Sequence, residues 1–230
     1  MPPSIKVFIG NRDREDCRGD REPTHRASDP ATGDTPRRPR TDRLVASQCL
    51  TRMRELSTYG GHPTLEGESA PPMQARILLG GKPSGYSSFM PGLFEEFLIS
   101  RAPPDNKKPI PVSVIGAFGG ATGQLADALL DERRMDSLAL AFQLEQAARA
   151  GRQGLKQLVD QYAAYPHLVI EDRYQALHDA VGLLRNAITG SDVQAPDNGL
   201  TPLENRTLLT SRDEAEIHRL LIKGLKNLYK

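Results

Sequence analysis

Apolar positions along this chain follow two rhythms. Short, nearly unbroken runs occur at Ile5-Lys-Val-Phe-Ile9, Arg76-Ile-Leu-Leu79 and Ile110-Pro-Val-Ser-Val-Ile115. Runs of that length bounded by turn residues predict strands, and Pro111 belongs at the start of its strand because proline cannot donate to a ladder. Elsewhere apolar residues recur every three or four positions, the mark of helices with one buried face. Leu44, Val45, Leu50, Met53 and Leu56 predict an amphipathic helix over 44–56. A helix over 91–100 carries Leu93, Phe94, Phe97 and Leu98 on one face, with Pro91 in its first turn. Further helices are predicted over 122–130, 135–150, 153–164 and 173–188, and His167-Leu-Val-Ile170 predicts another short strand. Thr201-Pro-Leu-Glu204 and Ser211-Arg-Asp-Glu214 both read as capping boxes, the second opening a last helix with Ile217, Leu220, Leu221 and Leu225 as its buried stripe.

Strand, glycine turn and helix thus succeed one another twice, at 76–100 and 110–130. That alternation predicts an α/β fold with parallel strands and a helix-rich C-terminal half. Right-handed crossovers then place both glycine turns at the same edge of the sheet. Between Gly10 and Thr41 large apolar residues are nearly absent and Arg, Asp, Glu and Pro dominate. Such a segment cannot bury enough surface to offset the entropy of ordering. The expected organisation is therefore a short strand and a disordered charged tail over 1–41, then one folded domain over 42–230.

Composition narrows the functional classes. Lys and Arg total 30 against 29 for Asp and Glu, a net charge of +1, which gives no global attraction to nucleic acid or to an anionic membrane. Arg37, Arg38 and Arg40 are interspersed with acids and read as part of a solvated tail, with no specific nucleic-acid contact. No apolar run approaches the roughly 20 residues that span a bilayer, and the N-terminal apolar stretch is too short for a signal-peptide core. The expectation is a cytoplasmic protein without a membrane partner. Cys17 and Cys49 match no metal spacing, Cys49 reads as a packed residue, and His25, His62, His167, His178 and His218 show no ligand pattern. No metal or cofactor is predicted.

The candidate chemistry lies in the glycine turns. In open parallel sheets ligands sit beyond the carboxyl ends of the strands, where glycines allow close backbone approach and helix N-termini offer amide donors to anions. Gly80-Gly-Lys-Pro-Ser-Gly-Tyr-Ser-Ser88 adds a cation in Lys82, hydroxyls including Ser84, and Tyr86 as a stacking surface. Glu95 and Glu96 follow within two turns of the next helix, where a carboxylate can accept from ribose hydroxyls or complement the helix dipole. The second turn supplies Gly116, Phe118, Gly119 and Gly120. Neither turn fits G-x-G-x-x-G or the P-loop pattern.

Taken together, several segments resemble bacterial members of the SLOG superfamily. They are Cys49–Glu55, Ala75–Lys82, Gly85-Tyr86, Met90-Pro-Gly-Leu-Phe-Glu-Glu96, Gly116–Gly120, Asn198–Asn205 and Glu216–Leu225. The resemblance implies a Rossmann-like parallel sheet flanked by helices, related to LOG-type phosphoribohydrolases, to DNA-processing proteins and to the sensor domain of TRPM channels. It also implies sensing of a nucleotide or NAD-derived signal in a bacterial conflict system, beside a separately encoded TIR- or Sir2-type effector. By position, Gly80, Gly81, Gly85, Pro91, Gly92, Glu96, Gly119 and Gly120 match the ligand-cradling segments. LOG-type hydrolases carry P-G-G-x-G-T where this chain has Met90-Pro-Gly-Leu-Phe-Glu-Glu96, and the usual first strand–helix–strand unit is represented only by residues 5–9.

Three functions compete. The first is a sensor module that binds a nucleotide or NAD-derived ligand. The second is a nucleoside 5′-monophosphate phosphoribohydrolase with Glu96 as its catalytic carboxylate. The third is a scaffold with a vestigial pocket. Self-assembly into a homo-oligomer is compatible with each.

Overall fold

The computed structural model describes residues 6–9, 41–61, 69–104, 107–165, 169–190 and 196–230. Three four-residue strands, β1 (Lys6–Ile9), β2 (Arg76–Leu79) and β3 (Val112–Ile115), form one parallel sheet in the order β1-β2-β3. β1 pairs Lys6 with Arg76, and β2 pairs Arg76 with Val112. The helices are α1 (Thr41–Tyr59), α2 (Gly92–Arg101), α3 (Gly120–Leu130), α4 (Leu140–Arg149), α5 (Gly154–Tyr162), α6 (Ile170–Thr189), α7 (Pro202–Thr210) and α8 (Glu214–Leu228). A 3-10 helix, Glu132–Leu138, links α3 to α4. The α/β class, the parallel sheet and the helix-rich C-terminal half are as the sequence predicts. The charged segment 10–40 lies outside the described residues.

Alternation along the strands divides the core in two. Leu78, Val112 and Val114 face one way, into a large cluster built with Phe94, Phe97, Leu125, Leu129, Leu177 and Val181. Ile77 and Ile115 face the other, onto Leu200, Leu208, Ile217 and Leu220 from α7, α8 and the turn before them. The segment Asn198–Asn205, one of those that carry the family resemblance, closes the outer edge of β3. Asn198 donates from Nδ2 to the Val112 carbonyl (3.1 Å) and to Asn205 Oδ1 (2.7 Å), while Asn205 Nδ2 donates to Asn198 Oδ1 (3.2 Å). One carbonyl of the edge strand is thus satisfied by a side chain instead of by another strand.

Several boundaries differ from the sequence expectation, each for a local reason. Ile170 opens α6 and Val169 caps it, so these two residues belong to no strand; residues 166–168 lie outside the described set. The box at 201–204 forms with both reciprocal bonds. The one expected at 211–214 does not, because Asp213 caps α8 by accepting from Ala215 and Glu216, and Ser211 instead accepts from the Asp213 amide (3.1 Å). α1 follows its apolar pattern only in part. Leu44 is buried in the large cluster, but Val45 and Met53 are more than half exposed and Cys49 is exposed, whereas Ser47 and Thr58 are buried. The inward face mixes Leu44 with polar groups because charged side chains of α2 and β2 bond to it there. No helix among the described residues is long and apolar enough to cross a membrane.

Candidate functional site

The two glycine turns lie together at the carboxyl edge of the sheet, and they are bonded to each other. Gly80, Gly81, Gly119 and Gly120 all have φ between +69° and +82°. The amides of Ala121 and Thr122, in the first turn of α3, donate to the carbonyls of Gly81 (3.0 Å) and Gly80 (2.9 Å). The Thr122 hydroxyl adds a bond to Gly80 (3.1 Å). Donors that the sequence offers to an anion are thus spent on the neighbouring turn. A Cβ on Gly120 would overlap the Gly81 carbonyl oxygen, and one on Gly116 would overlap Ala126 and meet the Leu209 carbonyl. Phe118 is 46% exposed beside them.

The two carboxylates of α2 are likewise engaged. Glu95 is fully buried and accepts from Thr51 and Arg54 of α1 and, at 3.4 Å, from Ser88. Glu96 meets Arg76 Nη1 at 3.3 Å and Arg54 Nε at 3.7 Å. Arg76, itself buried, also donates to the Glu96 carbonyl (2.9 Å) and to Thr58 Oγ1 (2.6 Å). Pro91 is buried at the start of α2, and the Arg54 guanidinium lies against Gly92. This cluster ties α1, β2 and α2 together under the sheet edge.

Burial pushes the Glu96 carboxyl above its ordinary range, the attraction of Arg76 and Arg54 offsetting only part of the effect, and burial lowers Arg76. A carboxyl raised in the fold is held protonated more firmly there than in the unfolded chain. Its contribution to stability is complete below the unfolded value and is lost as pH rises through the folded one. Urea midpoints should therefore fall over that window, and the difference between the parent and Glu96→Gln should carry the slope. A difference that is flat with pH, or that slopes the other way, contradicts the burial argument.

A space large enough for a ligand lies beside the first glycine turn. A cleft of about 1010 Å³ is lined by Lys82, Ser84, Gly85, Tyr86, Ser87 and Ser88, and on its other walls by α1, α4 and α5. That volume is at the upper end of the range for small-molecule sites. Three cations border it, Arg43, Lys82 and Arg152, and no carboxylate does among the described residues. None of the three forms an ion pair among the described residues. Arg152 donates to Ser84 Oγ (3.1 Å) and rests on the bare Cα of Gly85, while Arg43 rests on Gly154 in the same way. Gln143, Gln146, Gln153 and Gln157 supply amide donors and acceptors. The Tyr86 hydroxyl donates to Gln143 Oε1 (3.2 Å), and burial pushes its pKa up to about 12, so it stays a donor at neutral pH.

Of the residues named from sequence, Lys82, Ser84, Gly85 and Tyr86 therefore share the cleft. Gly80, Gly81, Gly116, Gly119 and Gly120 build the turns behind it, and Glu95 reaches it only through Ser88. Sequence reasoning missed Arg43, Arg152 and the glutamines. One signal pointed to them: Gly151-Arg-Gln-Gly154 is a glycine-flanked break between two helical periods, with a cation inside it. Among the described residues no group of three or more His, Cys, Asp or Glu side chains is placed to hold a metal ion.

A family model described as SLOG cluster2 matches residues 13–208, most of the chain and all of the cleft's lining. No curated protein and no solved structure matches the sequence.

Proposed function

The chain belongs to the SLOG cluster2 family, and on that premise we propose that it is a binding module that holds a nucleotide or NAD-derived ligand in the cleft between the first glycine turn and α5. The observation that carries this reading is the charge of the cleft: three cations, no acid, and no ion pair to neutralise them among the described residues. Cations without an ion-pair partner that face one concave space favour an anion, and clefts of a single sign raise the local concentration of the opposite charge. Phosphate supplies that anion, Tyr86 and the glutamines supply groups for a sugar or a base, and the serines of the loop add hydroxyls. The ligand state would pass to a separately encoded effector, of TIR or Sir2 type, in a bacterial defence or stress response.

The hydrolase reading has less support. Glu96 faces Arg76 and Arg54 and does not line the cleft. A carboxylate that must meet a ribose needs to be within hydrogen-bond reach of it.

A thermal-shift panel of NAD, ADP-ribose, cyclic ADP-ribose isomers, AMP and cyclic dinucleotides tests the proposal. A ligand present at 100 times its Kd adds about 2.7 kcal/mol to stability. At least one compound should raise Tm by several degrees, and Lys82→Glu should abolish the shift while leaving the ligand-free Tm unchanged. A flat panel from a cooperatively unfolding protein would refute the proposal and favour the scaffold.

A further inference from the structure

The sheet edge and the cleft differ in what they offer an anion. The first-turn amides of α3 are bonded to Gly80 and Gly81, and the start of α2 faces the Arg54–Glu95 pair. Free positive charge is found instead on three separate elements around the cleft: Arg43 on α1, Lys82 on the loop after β2, and Arg152 on the turn between α4 and α5. Arg152 and Arg43 flank one short stretch, residues 152–154, the first by sequence and the second by resting on Gly154. Lys82 is brought to the same wall by Ser84, two residues on, which accepts from Arg152.

We propose that this wall reads the charge of the ligand, and that the ligand class is a nucleoside diphosphate with a free terminal phosphate, with Arg43 and Arg152 as the specificity-determining residues. This inference rests on the binding reading above. A phosphate monoester carries about −1.5 to −2 at neutral pH, which leaves part of a +3 site unmatched, whereas a free terminal diphosphate adds about one further charge and completes the balance. A single phosphate can be clamped by one bidentate guanidinium. Three cations mounted on three elements instead suit a longer anion that bridges them. With no carboxylate among the described lining residues, they set no repulsion against a highly charged ligand. Because both arginines are exposed in the free protein, replacing them has little effect on the fold, so lost affinity reports on binding.

Isothermal titration of the full chain decides the point, with inorganic pyrophosphate, ADP and GDP set against inorganic phosphate, AMP and GMP. The expected result is that at least one diphosphate binds tenfold or more tightly than its monophosphate counterpart. Arg43→Gln and Arg152→Gln should each shrink that ratio several-fold at unchanged Tm. Equal affinities for mono- and diphosphate, or a ratio indifferent to both substitutions, overturns the inference and leaves the binding reading standing. No binding by any of the six probes, together with a flat panel in the preceding experiment, removes both.

Discussion

Replacing Arg76 by methionine lowers the free energy of unfolding by about 3–5 kcal/mol, the cost of removing one partner from a buried ion pair. Arg76 has no exposed side-chain surface and serves Glu96 twice, at the carboxylate (3.3 Å) and at the carbonyl (2.9 Å), besides donating to Thr58. Methionine fills a similar apolar volume but leaves Glu96 with only Arg54, at 3.7 Å. The directions of the two pKa shifts show where the cost arises. Burial raises Glu96 and lowers Arg76, so desolvation outweighs attraction for both members. The intact pair is therefore a weak stabiliser, and a half-broken pair is a strong destabiliser. The double variant Arg76→Met with Glu96→Gln should recover most of the loss. Urea unfolding of the three variants measures it, and a double variant as unstable as Arg76→Met alone would contradict the pairing.

The second large effect is expected at Gly120. Alanine there must adopt φ near +71° and must also fit a Cβ into the Gly80-Gly81 carbonyls, with Gly80 backbone atoms at 2.9 Å. Backbone strain of this kind costs of order 1–3 kcal/mol. Opening the turn to relieve the overlap also gives up the Ala121 and Thr122 hydrogen bonds, each worth about 0.5–1.5 kcal/mol. A loss of about 3 kcal/mol or more follows, with Tm falling on the order of 10 °C at roughly 2–4 °C per kcal/mol for a domain of this size. Gly119 is the internal control. Its φ of +75° and ψ of −153° lie in a region that essentially only glycine adopts, but a Cβ there meets nothing within 4 Å, so Gly119→Ala should cost the backbone strain alone, of order 1–3 kcal/mol, and less than Gly120→Ala. Equal Tm losses in the two variants would mean that the turns are not stitched together as described.

These two sites show what could be read from the chain alone and what could not. The strands at 76–79 and 112–115, their parallel pairing and the meeting of the glycine turns were legible, because strand–turn–helix alternation and crossover handedness restrict the topology to few choices. The glycines were legible as special positions, but their partners were not. One sequence cannot tell amides offered to a ligand from amides offered to another turn. Glu95 and Glu96 stood out as two acids near a helix start, but their counter-charges Arg54 and Arg76, which were not legible, come from elements 41 and 20 residues away. The same long-range pairing reshaped the inward face of α1: Leu44 packs in the core as its spacing predicts, but Val45 and Met53 stay exposed while Thr51, Arg54 and Thr58 meet the buried charges. In the cleft, Lys82 to Tyr86 were found through their proximity to the first turn. Arg152 was marked only by its glycine-flanked break between two helices, and Arg43 not at all, because the packing of α1, which no local pattern encodes, carries it to that wall.

Hydrogen–deuterium exchange in the presence of the tightest-binding nucleotide tests the central claim most directly, since it reports where the ligand sits as well as whether it binds. The account predicts slowed exchange at residues 82–88 and 152–157, with residues 120–123 unchanged because the Ala121, Thr122 and Gly123 amides are already bonded. Protection centred on residues 116–123, with none at 82–88 or 152–157, would place the ligand on the second glycine turn and contradict the assignment of the cleft.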